Sequence, residues 1–194
     1  MLRGRTLTVF GVASLLSASL LCGAAHAAVT VLGNGLARTC YEAAEFNGSP
    51  SDGIAACSQA LDQMALPVRD RAATLVNRGI LYSRLNEPQM ALADYDKGIS
   101  MEANLGEAYV DRGAALIVMG RYDEAVSEIN KGIGMGANRP EVAYYDLGLA
   151  EEALGNIRAA YEAYKKSTEI DPSFALASSQ LSRFKVVRHH ADGV

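Results

Sequence analysis

From about residue 72 to residue 174 the apolar positions follow the three-and-four spacing of a helix face, in runs separated by short polar breaks. The breaks Leu85-Asn86-Glu87, Met119-Gly120-Arg121 and Leu154-Gly155-Asn156 each divide two such runs, so the pattern predicts three helical hairpins. A fixed period relates them. Gly79 to Gly113, Ala91 to Ala125 and Gly98 to Gly132 are 34 residues apart; Gly113 to Gly148, Gly120 to Gly155 and Ala125 to Ala160 are 35 apart. The extra residue is expected in the linker Gly134-Met135-Gly136-Ala137-Asn138-Arg139-Pro140, because lengthening a loop costs little entropy. Gly79 with Ala91, Gly113 with Ala125 and Gly148 with Ala160 let the two helices of a hairpin approach closely. Leu75, Tyr109 and Tyr144 on the first helices, and Tyr95, Ile129 and Tyr164 on the second, are expected to fill the core around them.

These residues resemble the tetratricopeptide repeat family. The third unit carries the fullest likeness, through Leu147-Gly148, Leu154-Gly155-Asn156, Ala160, Tyr164 and Asp171-Pro172. The first unit follows it through Asn77-Arg78-Gly79, Ala91, Tyr95 and Gly98, and the second through Asp111-Arg112-Gly113, Gly120, Tyr122, Ala125 and Gly132. Leu75, Tyr109 and Tyr144 stand where the family carries a tryptophan, Ala103 and Ala137 replace its closing proline, and Glu151 stands where the other units have Tyr82 and Leu116. The resemblance implies an all-α solenoid of helical hairpins wound as a right-handed superhelix, with units at 72–105, 106–140 and 141–174. It also implies protein or peptide binding.

The flanks extend the array. Residues 34–71 read as a diverged N-terminal hairpin hinged at Asn47-Gly48-Ser49-Pro50-Ser51-Asp52, with about four residues more than a regular unit near Ala65-Leu66-Pro67-Val68. Cys40 and Cys57 lie at similar distances from the hinge, so antiparallel helices bring them opposite each other and a disulfide is expected. Closing a loop of that size contributes about 3 kcal/mol in the chain-entropy treatment. Residues 175–188 read as an amphipathic capping helix with Leu181, Phe184 and Val187 on one face, followed by a disordered tail at 189–194. Residues 1–27 read as a secretory signal. Arg3 and Arg5 form its basic end, Leu7 to Leu21 its apolar stretch, and Ala25-His26-Ala27 its cleavage site. This predicts an exported protein, periplasmic or secreted, with no membrane span once the leader is removed.

Composition then excludes chemistry. The chain of 194 residues has a formal net charge of −4, and loss of Arg3 and Arg5 with an acid-free leader leaves the remainder more acidic. Such a surface disfavours nucleic acid. Of three histidines, His26 lies in the leader and His189 and His190 in the tail, so no imidazole base is expected in the folded body. Neither a metal-ligand cluster nor a phosphate or dinucleotide fingerprint appears, and adjacent carboxylates such as Glu151 and Glu152 point to different faces. The expectation is a protein without catalytic residues, cofactor or metal.

What remains is a surface. The first helix of each hairpin is expected to line the concave side, placing Asn77, Ile80 and Arg84, then Glu107, Asp111 and Ile117, then Tyr145, Asp146, Leu149 and Glu152 in a peptide groove. Its carboxylates favour an apolar protein or peptide segment carrying Lys or Arg. Arg78 and Arg112 are expected to pack their stems and turn their charges outward. The expected function is a non-catalytic interaction scaffold in the cell envelope. A self-associating structural envelope protein, a homo-oligomer whose groove is covered by the chain's own tail or a second copy, and an accessory subunit of an envelope enzyme are the alternatives.

Overall fold

The structure is a computed structural model that describes residues 7–11, 28–31 and 35–188, with side chains described for 28–31 and 35–185. The expected leader, apart from Leu7–Gly11, lies outside the described residues, as do its cleavage site and the tail 189–194. The architecture is an all-α hairpin solenoid. Helices α1 (Leu36–Glu45) and α2 (Pro50–Gln63) make the N-terminal hairpin. α3 (Val68–Arg84) with α4 (Pro88–Met101), α5 (Gly106–Val118) with α6 (Tyr122–Gly134), and α7 (Pro140–Ala153) with α8 (Ile157–Ile170) make the three repeats. The short α9 (Ala175–Leu181) follows, and one antiparallel ribbon joins β1 (Leu7–Gly11) to β2 (Phe184–Arg188).

Each repeat turns over at the three-residue break expected of it. The middle residue of each break, Asn86, Gly120 or Gly155, takes a positive φ of 59°, 73° or 79°. The next N–H then donates back across the turn, from Glu87 to the Tyr82 carbonyl, Arg121 to Leu116 and Asn156 to Glu151, at 2.9–3.0 Å. The same local geometry satisfies otherwise orphaned groups at the ends of α3, α5 and α7. The period changes from 34 to 35 because the loop 135–139 has one residue more than the loop 102–105.

Glycine sets the distance within a hairpin. A Cβ on Gly79 would lie 2.6 Å from the Tyr95 ring, one on Gly113 2.5 Å from Ile129, and one on Gly148 2.5 Å from the Tyr164 ring. The second-helix side chains occupy that space, and Tyr95, Ile129 and Tyr164 are fully buried.

Three differences from the expected boundaries have physical causes. The four extra residues of the N-terminal unit are not a loop; they form an added first turn of α3, which has 17 residues where α5 has 13. Pro67 before Val68 starts that turn, so 68–71 are continuous with α3 ahead of the repeat proper. The capping helix does not run to Arg188 but ends at Leu181. Phe184, Val186 and Val187 favour extended backbone, and Leu7–Gly11 supplies the ladder partner that a second strand requires.

Arg78 and Arg112 also differ from expectation. The Arg78 Nε and Nη2 donate to the Asp94 carboxylate at 2.7 and 2.8 Å, and its Nη1 donates to Ser58 on α2 at 2.9 Å. Arg112 pairs with Glu128 on its own hairpin and with Asp96 on the preceding one. These charges do not turn outward; they fasten one hairpin to the second helix of the hairpin before it.

Candidate binding groove

The first helices α1, α3, α5 and α7 neighbour one another directly and form the inner wall of the curve. Asn77, Asp111 and Asp146 stand at the same position of three successive repeats, on α3, α5 and α7, and are 0%, 3% and 1% exposed. This position thus carries a buried polar side chain in every repeat, beside apolar Val76 and Ile80 on α3.

The chain itself lies on this wall. The Asn77 side-chain amide holds both backbone polar groups of Val29, with Nδ2 donating to the carbonyl and Oδ1 accepting from the N–H, each at 2.8 Å. Ala28, Val29 and Val31 are buried in the cluster that also contains Val76, Ile80, Ala108 and Ala115, while Thr30 faces out. The expectation of an open groove is therefore corrected at its N-terminal end: Asn77 and Ile80 are covered by a segment of the same chain. The alternation of buried Val29, exposed Thr30 and buried Val31 is the pattern of a half-buried extended strand. That alternation was readable in Ala28-Val29-Thr30-Val31, but nothing local to it names Asn77, 48 residues away.

The other expected groove residues divide. Arg84 does not face a free groove. Its guanidinium donates to the Ala43 carbonyl at 2.9 Å and to the Ala44 carbonyl, satisfying acceptors at the last turn of α1. Burial holds its pKa below the ordinary arginine value, against the nearby Asp111 charge. Glu107 accepts from the Asn138 N–H at 3.1 Å and ties α5 to the next interrepeat loop. Ile117 is half-buried against the middle core. Tyr145 is core, with its ring centroid 6.0 Å from Tyr164 and 5.6 Å from Phe174, and Leu149 packs beside it.

Glu152 is neutralised within the chain, accepting from Arg183 Nη2 at 2.7 Å and from the Tyr164 hydroxyl at 3.0 Å. Burial, then the Glu152 charge, raises the Tyr164 pKa far above the ordinary tyrosine value, so the hydroxyl remains a donor. Arg183 and Phe184 were missed as partners because the sequence reading kept both inside a helix. The turn after Leu181 aims Arg183 at α7 and stacks Phe184 5.9 Å from both Tyr161 and Tyr164.

At the far end, Cys40 and Cys57 join α1 to α2 with an S–S separation of 2.15 Å and a Cα–Cα separation of 4.8 Å. Among the described residues, no group of three or more His, Cys, Asp and Glu could hold a metal ion, and no helix is long and apolar enough to cross a membrane. The arrangement can hold extended backbone by an amide and bury short side chains beside it.

The tetratricopeptide repeat family profile matches residues 72–105 and 142–174. The chain is a tetratricopeptide repeat protein. Its matched units are the first and third hairpins, and the intervening α5–α6 pair repeats their packing. Over 95 residues, 49% of the chain, it is 30% identical to small glutamine-rich tetratricopeptide repeat-containing protein 2 of Mycosarcoma maydis. Over 104 residues, 54% of the chain, it is 27% identical to tetratricopeptide repeat protein 12 of Mus musculus. These matches span only 27% and 15% of those relatives.

Solved tetratricopeptide structures share the fold. MamA from Desulfovibrio magneticus RS-1, residues 41 to the end, matches with a TM-score of 0.61 at 22% identity, covering 76% of this chain and 82% of that one. The second tetratricopeptide domain of human RPAP3, solved with the HSP70 peptide SGPTIEEVD, matches with a TM-score of 0.56 at 20% identity, covering 60% of this chain and 97% of that one.

Proposed function

We propose that this protein is a non-catalytic scaffold of the cell envelope that holds an extended segment of a partner protein along its inner helices. The observation that carries the reading is the Asn77 amide closed on both backbone polar groups of Val29, because such a contact recognises an extended main chain irrespective of its side chains. The peptides held by related solved domains support the same use of the fold. The segment is apolar and carries Lys or Arg, which suits the acidic balance of the chain. Export follows from the leader at 1–27, whose cleavage also removes Leu7–Gly11 and leaves β2 without its ladder partner, and an oxidising compartment suits the Cys40–Cys57 bridge.

Two measurements test this. N-terminal sequencing of the protein recovered from the envelope is expected to begin at Ala28; recovery with Met1 intact in the cytoplasm overturns the location. A panel of extended peptides is expected to bind best when apolar and basic, and Asn77→Ala is expected to weaken every member that binds. A panel in which nothing binds the full chain overturns the scaffold reading.

A further inference from the structure

The segment that covers Asn77 has the properties of a ligand. Only its backbone is read by a side chain: both hydrogen bonds go to Val29, and neither depends on the valine side chain. Its inward residues are small or β-branched, Ala28, Val29 and Val31, and Thr30 between them is exposed. It contains no helix, and only residues 32–34 separate it from the bend at Gly35 where α1 begins. Burial of two valines and the two hydrogen bonds to Asn77 outweigh the ordering of four backbone residues by only a small margin, so the segment is held in place yet can be displaced.

We propose that residues 28–31 are an intramolecular ligand of the groove, which a partner must displace with an extended segment of the same chemistry. The incoming segment presents a free N–H and C=O at the residue facing Asn77, so that residue is not proline, and places small or β-branched side chains on either side of one outward residue. This rests on the groove reading above and adds its regulation. The tether of residues 32–34 keeps the resident segment at an effective concentration on the order of millimolar, so an external segment binds the unaltered chain weakly.

The test uses the full chain and an N-acetylated fluorescent peptide of residues 28–34, Ala-Val-Thr-Val-Leu-Gly-Asn, read by fluorescence anisotropy. Val29→Pro removes the N–H that Asn77 accepts and, separately, Val29→Asp with Val31→Asp expels the segment by charge; each is expected to tighten peptide binding roughly ten-fold or more over the unaltered chain. Thr30→Asp, at the outward residue, is expected to leave it unchanged. Adding Asn77→Ala to Val29→Pro is expected to abolish the gain, and thermal melts of the variants confirm that the hairpins remain folded.

Equal affinity in the unaltered chain and in both folded release variants overturns the competition while leaving the scaffold reading intact. So does a gain that survives Asn77→Ala, because the peptide is then bound elsewhere. Failure of this peptide in every variant, with the panel above still binding in an Asn77-dependent way, overturns the proposed chemistry of the occupant. Failure of both this peptide and the panel overturns the scaffold reading itself.

Discussion

The first and third repeats make the same internal contact but are fastened to the array differently. In both, a glycine faces a fully buried tyrosine ring: Gly79 against Tyr95 and Gly148 against Tyr164. Before the first glycine stands Arg78, bonded in a bidentate pair to Asp94 and reaching Ser58 on the preceding hairpin. Before the second stands Leu147, which packs into the middle apolar cluster. The third repeat gains its outer support from the other side, where Phe174 and Phe184 close on its tyrosines and Arg183 reaches Glu152. Close approach within a hairpin is thus common to the units, whereas attachment between units is met by charge in one place and by aromatic burial in another.

The largest expected effect lies outside the pair and tests whether the N-terminal end needs covalent help. The α1–α2 hairpin packs against the repeats on one side only, and the cysteine link closes a sequence separation of 17 residues. Replacing Cys40 and Cys57 together by Ala is expected to destabilise this hairpin by about 3 kcal/mol, seen as early loss of hydrogen-exchange protection in 36–63 with the third repeat unchanged. Uniform loss along the chain would show that the repeats do not unfold semi-independently.

Next, Gly79→Val and Gly148→Val put two bulky methyls beside a Cβ already inside tyrosine contact distance. Each is expected to cost about 2 kcal/mol in urea unfolding, and to a similar extent, since the contact is the same. A difference well above 1 kcal/mol would show that the flanking attachment decides how far a hairpin can open to relieve the clash.

Smaller, and sharper, is the contrast between the two arginines. Arg78→Ala strands Asp94, 5% exposed, whereas Arg112→Ala leaves Glu128, 20% exposed, and Asp96, 63% exposed, both reached by water. The first is expected to exceed the second by about 1 kcal/mol, because a stranded buried carboxylate loses solvation as well as its partner.

The smallest effect concerns the turn that precedes α9. The Ser173 hydroxyl and N–H both donate to Asp171, at 2.6 and 2.8 Å, and hold its carboxyl below the ordinary aspartate value. Because the folded value is depressed, the associated stability is present above the unfolded pKa and fades as pH falls through the folded one. Ser173→Ala is expected to move the Asp171 titration, followed by carbon-detected NMR, back toward ordinary aspartate. No movement would mean that the turn is held by its backbone alone.

Much of the fold was legible in the chain because its determinants are local or between nearest neighbours. A positive-φ residue at 86, 120 and 155 and a glycine opposite a large second-helix side chain act within a single hairpin, and the hairpin repeats. The candidate site was legible only as a set of inner-helix positions. Tyr145 and Leu149 went to core, Arg84 and Glu107 to neighbouring backbone, and Glu152 to Arg183, because a polar or apolar residue at a given helical angle does not state which element will arrive to cover it.

The sequence by itself determined where the repeat hairpins turn, how closely their helices pair, and that the units stack, since spacing and side-chain volume suffice for each of those. Only the tertiary structure decided that Ala28–Val31 lies on Asn77 and that Leu7–Gly11 pairs with Phe184–Arg188. The physical reason is separation along the chain: these contacts bring together residues from distant parts of it, and the backbone groups that make them carry no sequence signature of their partner.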